Sequence, residues 1–183
     1  MYWMIAAKTE FERCNNEIGE FFFPGHEEER IKAKNALETC ALSIKEAVDS
    51  ALMRARLSAE HRKTLTDRCG KELAWISARQ SARKEKFQRR QKELEEFYVH
   101  IKEKSRIEAK EELEGLICEL KEILSDKKRK RKINKKLRET IKIKCNEISA
   151  WLSIHQGAER PEFQARQHEL DQLIKDIDFC KIL

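Results

Sequence analysis

The chain has 183 residues and a formal net charge of +6, and 39% of its residues are charged while 7% are aromatic. With only five glycines and two prolines, this composition is typical of long helices, and the regular apolar spacing excludes a disordered chain. The apolar start, MYWMIAA, is too short for a signal peptide or a membrane span. We therefore expect a soluble protein of the cytoplasm, the nucleus or both, with no membrane partner.

Residues 1–26 form an N-terminal segment with no counterpart elsewhere in the chain. It contains Phe21-Phe22-Phe23, followed by Pro24-Gly25, a dipeptide that predicts a break before the first helix. Because the aromatic side chains need cover, we expect this segment to pack on the helices that follow.

From Glu27 onward, apolar residues recur every three or four positions, which predicts three helices. The second helix begins after Ser58, a residue suited to an N-cap, and ends near Arg79, while the third follows a break around Ser81. The apolar positions of the three helices are, in order, Leu37, Cys40, Ala41, Ile44 and Val48; Leu65, Cys69, Leu73 and Ile76; and Phe87, Leu94, Phe97, Tyr98 and Ile101.

The second half of the chain repeats this order of helices. We expect its second helix to end at Gly157, as a C-cap, and its third helix to start at Pro161. Between Ala82 and Leu124 there is no proline, and Gly115 is the only glycine. The third helix of the first half is therefore predicted to run into the first helix of the second half, over more than roughly 60 Å.

The two halves are related by a constant offset of 76 residues. Cys69 and Trp75 recur as Cys145 and Trp151, and matched pairs extend from Arg30 with Arg106 to Ile101 with Ile177. An offset without insertions indicates a duplicated folding unit. The sequence thus predicts an all-α protein of two tandem three-helix bundles, residues 27–102 and 103–183, joined by a long shared helix.

Three segments of the first unit stand out: ERIKAKNALETCALSIKEAV (Glu29–Val48), LTDRCGKELAWI (Leu65–Ile76) and EKFQRRQKELE (Glu85–Glu95). In this order they resemble the AKNxLExxAxxxK, LDKCxExxxWL and EEFEHKxKELE segments of a known helical subdomain. That subdomain is the C-terminal lid of the seventy-kilodalton heat-shock chaperones, the heat shock protein 70 or DnaK-type family. The second unit is a more divergent copy, which keeps the Cys, Trp, Phe and Glu-Leu landmarks.

The resemblance implies a three-helix lid subdomain, present twice. In the family this lid covers a peptide-binding β-sandwich and responds to an ATPase domain, but the sequence has no DLGTTYS-like phosphate loop and no strand-rich segment. It ends in DFCKIL, where cytosolic members carry an acidic EEVD tail. TEFERCNNEI (Thr9–Ile18) resembles an ARFEELNxDL stretch of the ATPase domain without carrying activity. We therefore expect no ATP hydrolysis and no cofactor.

The most charged stretch is DKKRKRKINKKLR (Asp126–Arg138), with nine basic residues and one acidic residue. Such a run fits a nuclear-import signal, a contact with nucleic acid or another polyanion, or a solvated loop without a partner. It has no aromatic residue for base stacking, so binding through it would neutralise phosphates and depend steeply on salt. The candidate patch comprises Lys127, Lys128, Arg129, Lys130, Arg131, Lys132, Lys135 and Lys136.

The six cysteines lack the close spacing of zinc ligands, which predicts free thiols in a reducing compartment and no metal site. Cys69 and Cys145 match a cysteine of the family lid, where thiol modification can loosen the bundle. They are therefore candidate redox-sensitive thiols, and the alternative is that they only pack in the core.

Nothing in the sequence resembles a nucleophile, base and orienter set. Four of the five histidines, His61, His100, His155 and His168, show no partner geometry. The carboxylates alternate with lysines as in surface ion pairs. An enzyme is therefore not expected.

Three functions remain open from the sequence. The first is a chaperone-related protein-interaction module that binds chaperones, unfolded segments or another lid, or self-associates, through uncovered apolar residues such as Phe21–Phe23, Phe97 and Tyr98. The second is a nuclear protein that contacts nucleic acid or other polyanions through Lys127–Lys136. The third is a diverged duplicate with no specialised activity.

Overall fold

A computed structural model describes residues 24–131 and 133–182 of the chain. This described part contains seven helices and no strand, which confirms the prediction of an all-α protein. The helices are α1 (Pro24–Asp49), α2 (Ala51–Arg56), α3 (Ala59–Ala78), α4 (Lys84–Ser125), α5 (Lys127–Arg131), α6 (Lys135–Ile154) and α7 (Arg160–Ile182). Phe21–Phe23 and TEFERCNNEI lie outside the described residues, so the packing of that segment stays a prediction.

Two of the predicted helix starts agree with the structure, and one does not. The Oγ of Ser58 accepts a hydrogen bond from the His61 backbone N–H at 3.1 Å, so Ser58 is the N-cap of α3. Pro161 lies in the first turn of α7, where its missing N–H leaves no bond unmade. Pro24 and Gly25, by contrast, were expected to precede the first helix and instead open α1, because a first turn needs no amide donors from them.

The expectation that Gly157 caps the end of α6 is wrong. The helix ends at Ile154, with His155 as its C-cap, and Gly157 does not adopt a positive φ. The last carbonyls of α6 find other donors: the His155 backbone N–H reaches Trp151 O at 2.9 Å, and Gln156 Nε2 reaches Leu152 O at 2.8 Å. A left-handed glycine is therefore not needed to satisfy them.

The described residues divide into two compact units. The first comprises 24–47 and 65–98, and the second comprises 48–64 together with the residues from Val99 onward. Segment 48–64 thus packs with the second unit although it belongs to the first half of the repeat. Because the units are not continuous along the chain, the tandem bundles at 27–102 and 103–183 stay a prediction.

The core of the first unit is built from the predicted stripes of α1, α3 and the start of α4. The Trp75 ring meets the Phe87 ring edge-on at 5.5 Å, and the Arg90 guanidinium lies over Trp75 at 4.0 Å. Burying side chains of this size contributes roughly 1.5–3 kcal/mol each. The buried apolar residues are Ala33, Leu37, Ala41, Ile44, Leu65, Cys69, Ile76, Phe87 and Leu94.

The core of the second unit repeats these packing positions. Trp151 meets Phe163 edge-on at 5.7 Å, and the Arg166 guanidinium lies over Trp151 at 5.3 Å. One buried cluster contains Ala109, Leu113, Ile117, Leu120, Ile133, Ile141, Cys145, Ile148, Leu152, Ala158, Phe163 and Leu170. Most of these positions are related by the offset of 76 to buried residues of the first unit.

A polar contact also recurs at the same offset. Arg30 donates to the backbone carbonyl of Gln80 in the first unit, and Arg106 donates to that of Gln156 at 2.7 Å in the second. In each case a glutamate three residues earlier pairs with the arginine. Each arginine therefore ties the first helix of its repeat to the turn before the third.

Helix α4 covers the predicted junction without interruption. It contains 42 residues, from Lys84 to Ser125, and at a rise of about 1.5 Å per residue it is about 63 Å long. Gly115 lies within it, and a methyl group there would meet nothing within 4 Å. The continuous helix expected from the lack of proline is therefore present.

Candidate functional site

The candidate site with the strongest charge is the basic connector, residues 126–136, in the second unit. Its fold is set by capping side chains and one buried residue. The Oδ1 of Asp126 accepts hydrogen bonds from the backbone N–H groups of Lys128 (2.7 Å) and Arg129 (3.1 Å), which starts the short helix α5. Ile133 is buried, and the Oδ1 of Asn134 accepts from Leu137 N at 2.7 Å to cap α6.

The cationic side chains of the basic connector are exposed. In the described part of the chain none of them lies within ion-pair distance of a carboxylate, and Lys132 lies outside that part. The backbone N–H groups of Arg129 and Lys128 hold the pKa of Asp126 below its usual range. The one acidic side chain of the connector is therefore hydrogen-bonded to the backbone and not to a cationic side chain. The exposed cations are Lys127, Lys128, Arg129, Lys130, Arg131, Lys135 and Lys136.

The equivalent segment of the first repeat, residues 50–58, is packed. Ser50 Oγ accepts from Met53 N at 3.3 Å to start α2, and Met53 and Leu57 are buried. The Arg56 carbonyl accepts from the fully buried Ser105 Oγ at 3.3 Å. Each of the two segments contains a short helix, because Ser50 and Asp126 supply N-caps.

A second candidate surface consists of exposed aliphatic side chains. Ile143 and Ile154 are 57% and 76% exposed on α6, and their separation of eleven residues places them within about 20° on the helix. They lie opposite the buried stripe of that helix, with Ala150 between them on the same face. The exposed large apolar residues in the described ranges are Ile31, Leu42, Leu52, Val99, Ile107, Ile143 and Ile154.

Phe97 and Tyr98 are poorer candidates than the sequence suggested. Both are half-buried, and the Arg68 guanidinium covers the Phe97 ring at 5.6 Å. Sequence periodicity missed this cover because the covering arginine is supplied by α3, 29 positions earlier in the chain.

Both predicted redox-sensitive thiols are buried. Burial raises the pKa of Cys69 and of Cys145, which disfavours the thiolate that oxidants attack. Cys40 is half-buried, and burial and the Glu95 carboxylate raise the pKa of its thiol to about 11. Cys118 is exposed. Redox sensitivity of Cys69 and Cys145 stays a prediction, and their placement suits packing.

The expectation that His61 has no partner is wrong. Its Nδ1 lies 2.9 Å from Ser58 Oγ, and its Nε2 lies 3.6 Å from the Glu108 carboxylate. Serine, histidine and carboxylate also occur in this order in hydrolase triads. Here, however, the histidine–carboxylate distance exceeds that of a hydrogen bond, and Ser58 Oγ is occupied as the cap of α3. Glu108 is 47 residues from His61 in the sequence, so no local pattern reveals this contact.

His155 also has a contact that the sequence did not reveal. Its ring stacks on Trp151 at 4.9 Å with an interplanar angle of 14°. The contact belongs to the end of α6 and includes no nucleophile.

Two kinds of site are not found in the part of the chain that the structure describes. No group of three or more histidine, cysteine, aspartate or glutamate side chains there is arranged to hold a metal ion. Over the same residues, no helix combines the length and the hydropathy that crossing a membrane requires.

Comparison with known proteins shows similarity to heat shock proteins. The chain is 32% identical over 97 residues to a heat shock 70 kDa protein of Schistosoma japonicum, covering 52% of this chain and 49% of that protein. It is 33% identical over 90 residues to heat shock 70 kDa protein 2 of Paracoccidioides lutzii, covering 49% and 14%. It is 37% identical over 67 residues to Allergen MAG29 of Dermatophagoides farinae, covering 37% and 46%.

These similarities support a relationship to the heat shock 70 kDa proteins. The chain spans about half the length of two of these relatives and much less of the third. No family model and no solved structure matches the chain.

Proposed function

We propose that this chain is a non-enzymatic, chaperone-related module that binds protein partners or unfolded segments in the cytoplasm, the nucleus or both. It is built from two tandem copies of a helical unit resembling the heat shock protein 70 lid. The similarity to heat shock 70 kDa proteins and the recurrence of the Trp75–Phe87 contact as Trp151–Phe163 support this proposal.

The observation that carries the binding function is the outer face of α6. A helix with apolar residues on both faces has one face for its own core and a second face available to a partner. On α6 the core face carries Ile141 and Ile148, and the outer face carries Ile143 and Ile154. An unfolded segment with aliphatic side chains is a suitable partner because it buries these isoleucines without needing a defined shape of its own.

The substitutions for the test are taken from the equivalent positions in the first half of the chain. The residues related by the offset to Ile143 and Ile154 are Asp67 and Ala78. The double variant Ile143→Asp with Ile154→Ala therefore gives α6 the outer residues that α3 already carries. Neither change touches the buried stripe, so circular dichroism and the urea midpoint should stay close to those of the parent chain.

The binding assay is fluorescence anisotropy of a labelled, permanently unfolded client, such as reduced and carboxymethylated α-lactalbumin. We expect the double variant to bind at least tenfold more weakly. Leu42→Ser, which removes an exposed side chain of the first unit, is the control and should bind as the parent does. The proposal is contradicted if the parent chain does not bind the client, or if the double variant binds the client as tightly as the parent does.

A further inference from the structure

We infer that the basic connector is an electrostatic binding site for double-stranded nucleic acid, read through its phosphates and without sequence preference. This goes beyond the proposed protein-interaction function and involves different residues. Residues 126–138 carry a net charge of +8 while the whole chain carries +6, so all other residues together carry −2. The positive charge of the protein is thus concentrated in one short segment.

In the part of the chain that the structure describes, the cations of the basic connector lack internal partners. Elsewhere in the described residues, several basic side chains pair with nearby carboxylates, as Lys84 does with Glu29 at 2.8 Å and Lys32 with Glu28 at 2.7 Å. In α5, five consecutive cations are exposed and none is paired. Like charges one helical turn apart repel each other, and a polyanion placed beside them removes that repulsion.

The cations of α5 are also held in place by the residues on either side of the helix. Asp126 caps the beginning of α5, and Ile133 is buried immediately after it. The backbone that carries the cations is therefore anchored at both ends. Binding to it requires less ordering than binding to a free basic tail, so more of the electrostatic attraction appears as affinity.

Among polyanions, double-stranded nucleic acid fits the charges of α5 best. The five cations of α5 follow one another around a single short helix, so they present charge in several directions and no arrangement suited to one base edge. The connector has no aromatic side chain for stacking on bases. A duplex carries one negative charge for about every 1.7 Å of its axis, a density that matches clustered, unpaired cations. Recognition is therefore confined to the phosphate backbone.

The test measures binding of a fluorescent 24-base-pair duplex of mixed sequence between 50 and 200 mM salt. If the five cations of α5 each contact a phosphate, affinity should fall roughly 500-fold over this range. The fivefold variant Lys127→Gln, Lys128→Gln, Arg129→Gln, Lys130→Gln and Arg131→Gln should lose this salt dependence and at least 100-fold in affinity at 50 mM salt. Glutamine has a helix propensity close to that of lysine and arginine, so α5 is retained.

A matched control removes the same amount of charge at dispersed, exposed positions. It combines Arg54→Gln, Lys63→Gln, Lys71→Gln, Arg79→Gln and Lys86→Gln, and it should bind the duplex within threefold of the parent. Equal losses in the two variants would show that net charge alone governs binding, which overturns the inference.

Two further outcomes overturn the inference. One is that the parent chain does not bind the duplex at 50 mM salt. The other is that the α5 variant binds the duplex normally but fails to accumulate in the nucleus, because the partner of the connector is then an import receptor.

Discussion

Residues 50–58 and residues 126–134 are related by the offset of 76, and each holds a short helix between two capping side chains. Ser50 and Asp126 start the two helices, and Leu57 and Ile133 are buried just after them. Between these anchors the two segments differ: the first packs Met53 into the core, whereas the second exposes a run of cations.

The backbone of such a connector is defined by the positions that the two segments share. The caps and the final apolar residue are present in both segments, so they are sufficient for a short helix at this place. Between them, Met53 faces the core in one repeat, whereas its equivalent in the other, Arg129, is exposed. A connector of this kind can therefore carry surface charge in place of a buried side chain and still form the same short helix. Substitutions that exchange residues between the two segments test this.

The largest effect is expected when residues are exchanged at the position where the segments differ most. Met53 is buried and its equivalent is the exposed Arg129. Met53→Arg should lower the free energy of unfolding by about 3 kcal/mol, because it buries a charge without a partner. Arg129→Met should change it by less than about 0.5 kcal/mol, as expected of exposed positions. Urea unfolding measures both, and equal effects would contradict the difference in packing.

The next effect concerns the position at which the segments agree. Leu57→Ala and Ile133→Ala should each lower the free energy of unfolding by about 2–4 kcal/mol, because both side chains are almost fully buried. Lys127→Ala, at an exposed position of α5 in the same connector as Ile133, is the control and should have little effect. If Ile133→Ala were neutral in urea unfolding, the second connector would lack its anchor.

A smaller effect is expected at the caps of the packed segment. Ser50→Ala and Ser58→Ala each remove an oxygen that accepts from a backbone N–H group, and each should lower the free energy of unfolding by about 1 kcal/mol. Ser77→Ala on the exposed side of α3 is a suitable control. Thermal unfolding followed by circular dichroism is the measurement, and a stabilised Ser58→Ala protein would contradict the cap.

The smallest expected effect is a difference in acid sensitivity of the stability between a carboxylate cap, Asp126, and a hydroxyl cap, as at Ser50. The pKa of Asp126 is lowered in the folded chain by backbone N–H donors. Its contribution to stability is therefore fully present above its unfolded pKa and is lost as the pH falls through the folded value. Asp126→Ser, which copies Ser50, should show no such loss. The test compares urea midpoints of the two proteins from pH 6 to pH 2, and parallel curves would contradict this role.

Sequence periodicity was sufficient to predict the long helices and most of the core. Leu37, Leu113, Phe87 and Phe163 are fully buried, as their helical spacing indicated, because burial of one helix face leaves a regular trace in the sequence. The expected relationship to heat shock 70 kDa proteins is supported as well.

Contacts between distant segments could not be predicted in this way. The pair of His61 with Glu108 and the packing of Met53 depend on residues from separate helices, and neither leaves a local pattern. The same holds for the cover that Arg68 gives to Phe97. The charge of the basic connector, in contrast, was visible in the sequence, whereas its anchoring at both ends required the structure.

The burial of Ile133 has a consequence for the kind of receptor that can use the basic connector. The seven peptide steps from Asp126 to Ile133 span about 10 Å at helical rise but about 24 Å when extended. A receptor that binds these cations only when the segment is extended must unwind α5 and withdraw Ile133 from the buried cluster of the second unit. Its binding is then coupled to local opening, so it lowers the melting temperature of the second unit, whereas a rigid polyanion that accepts the helix as it stands raises it.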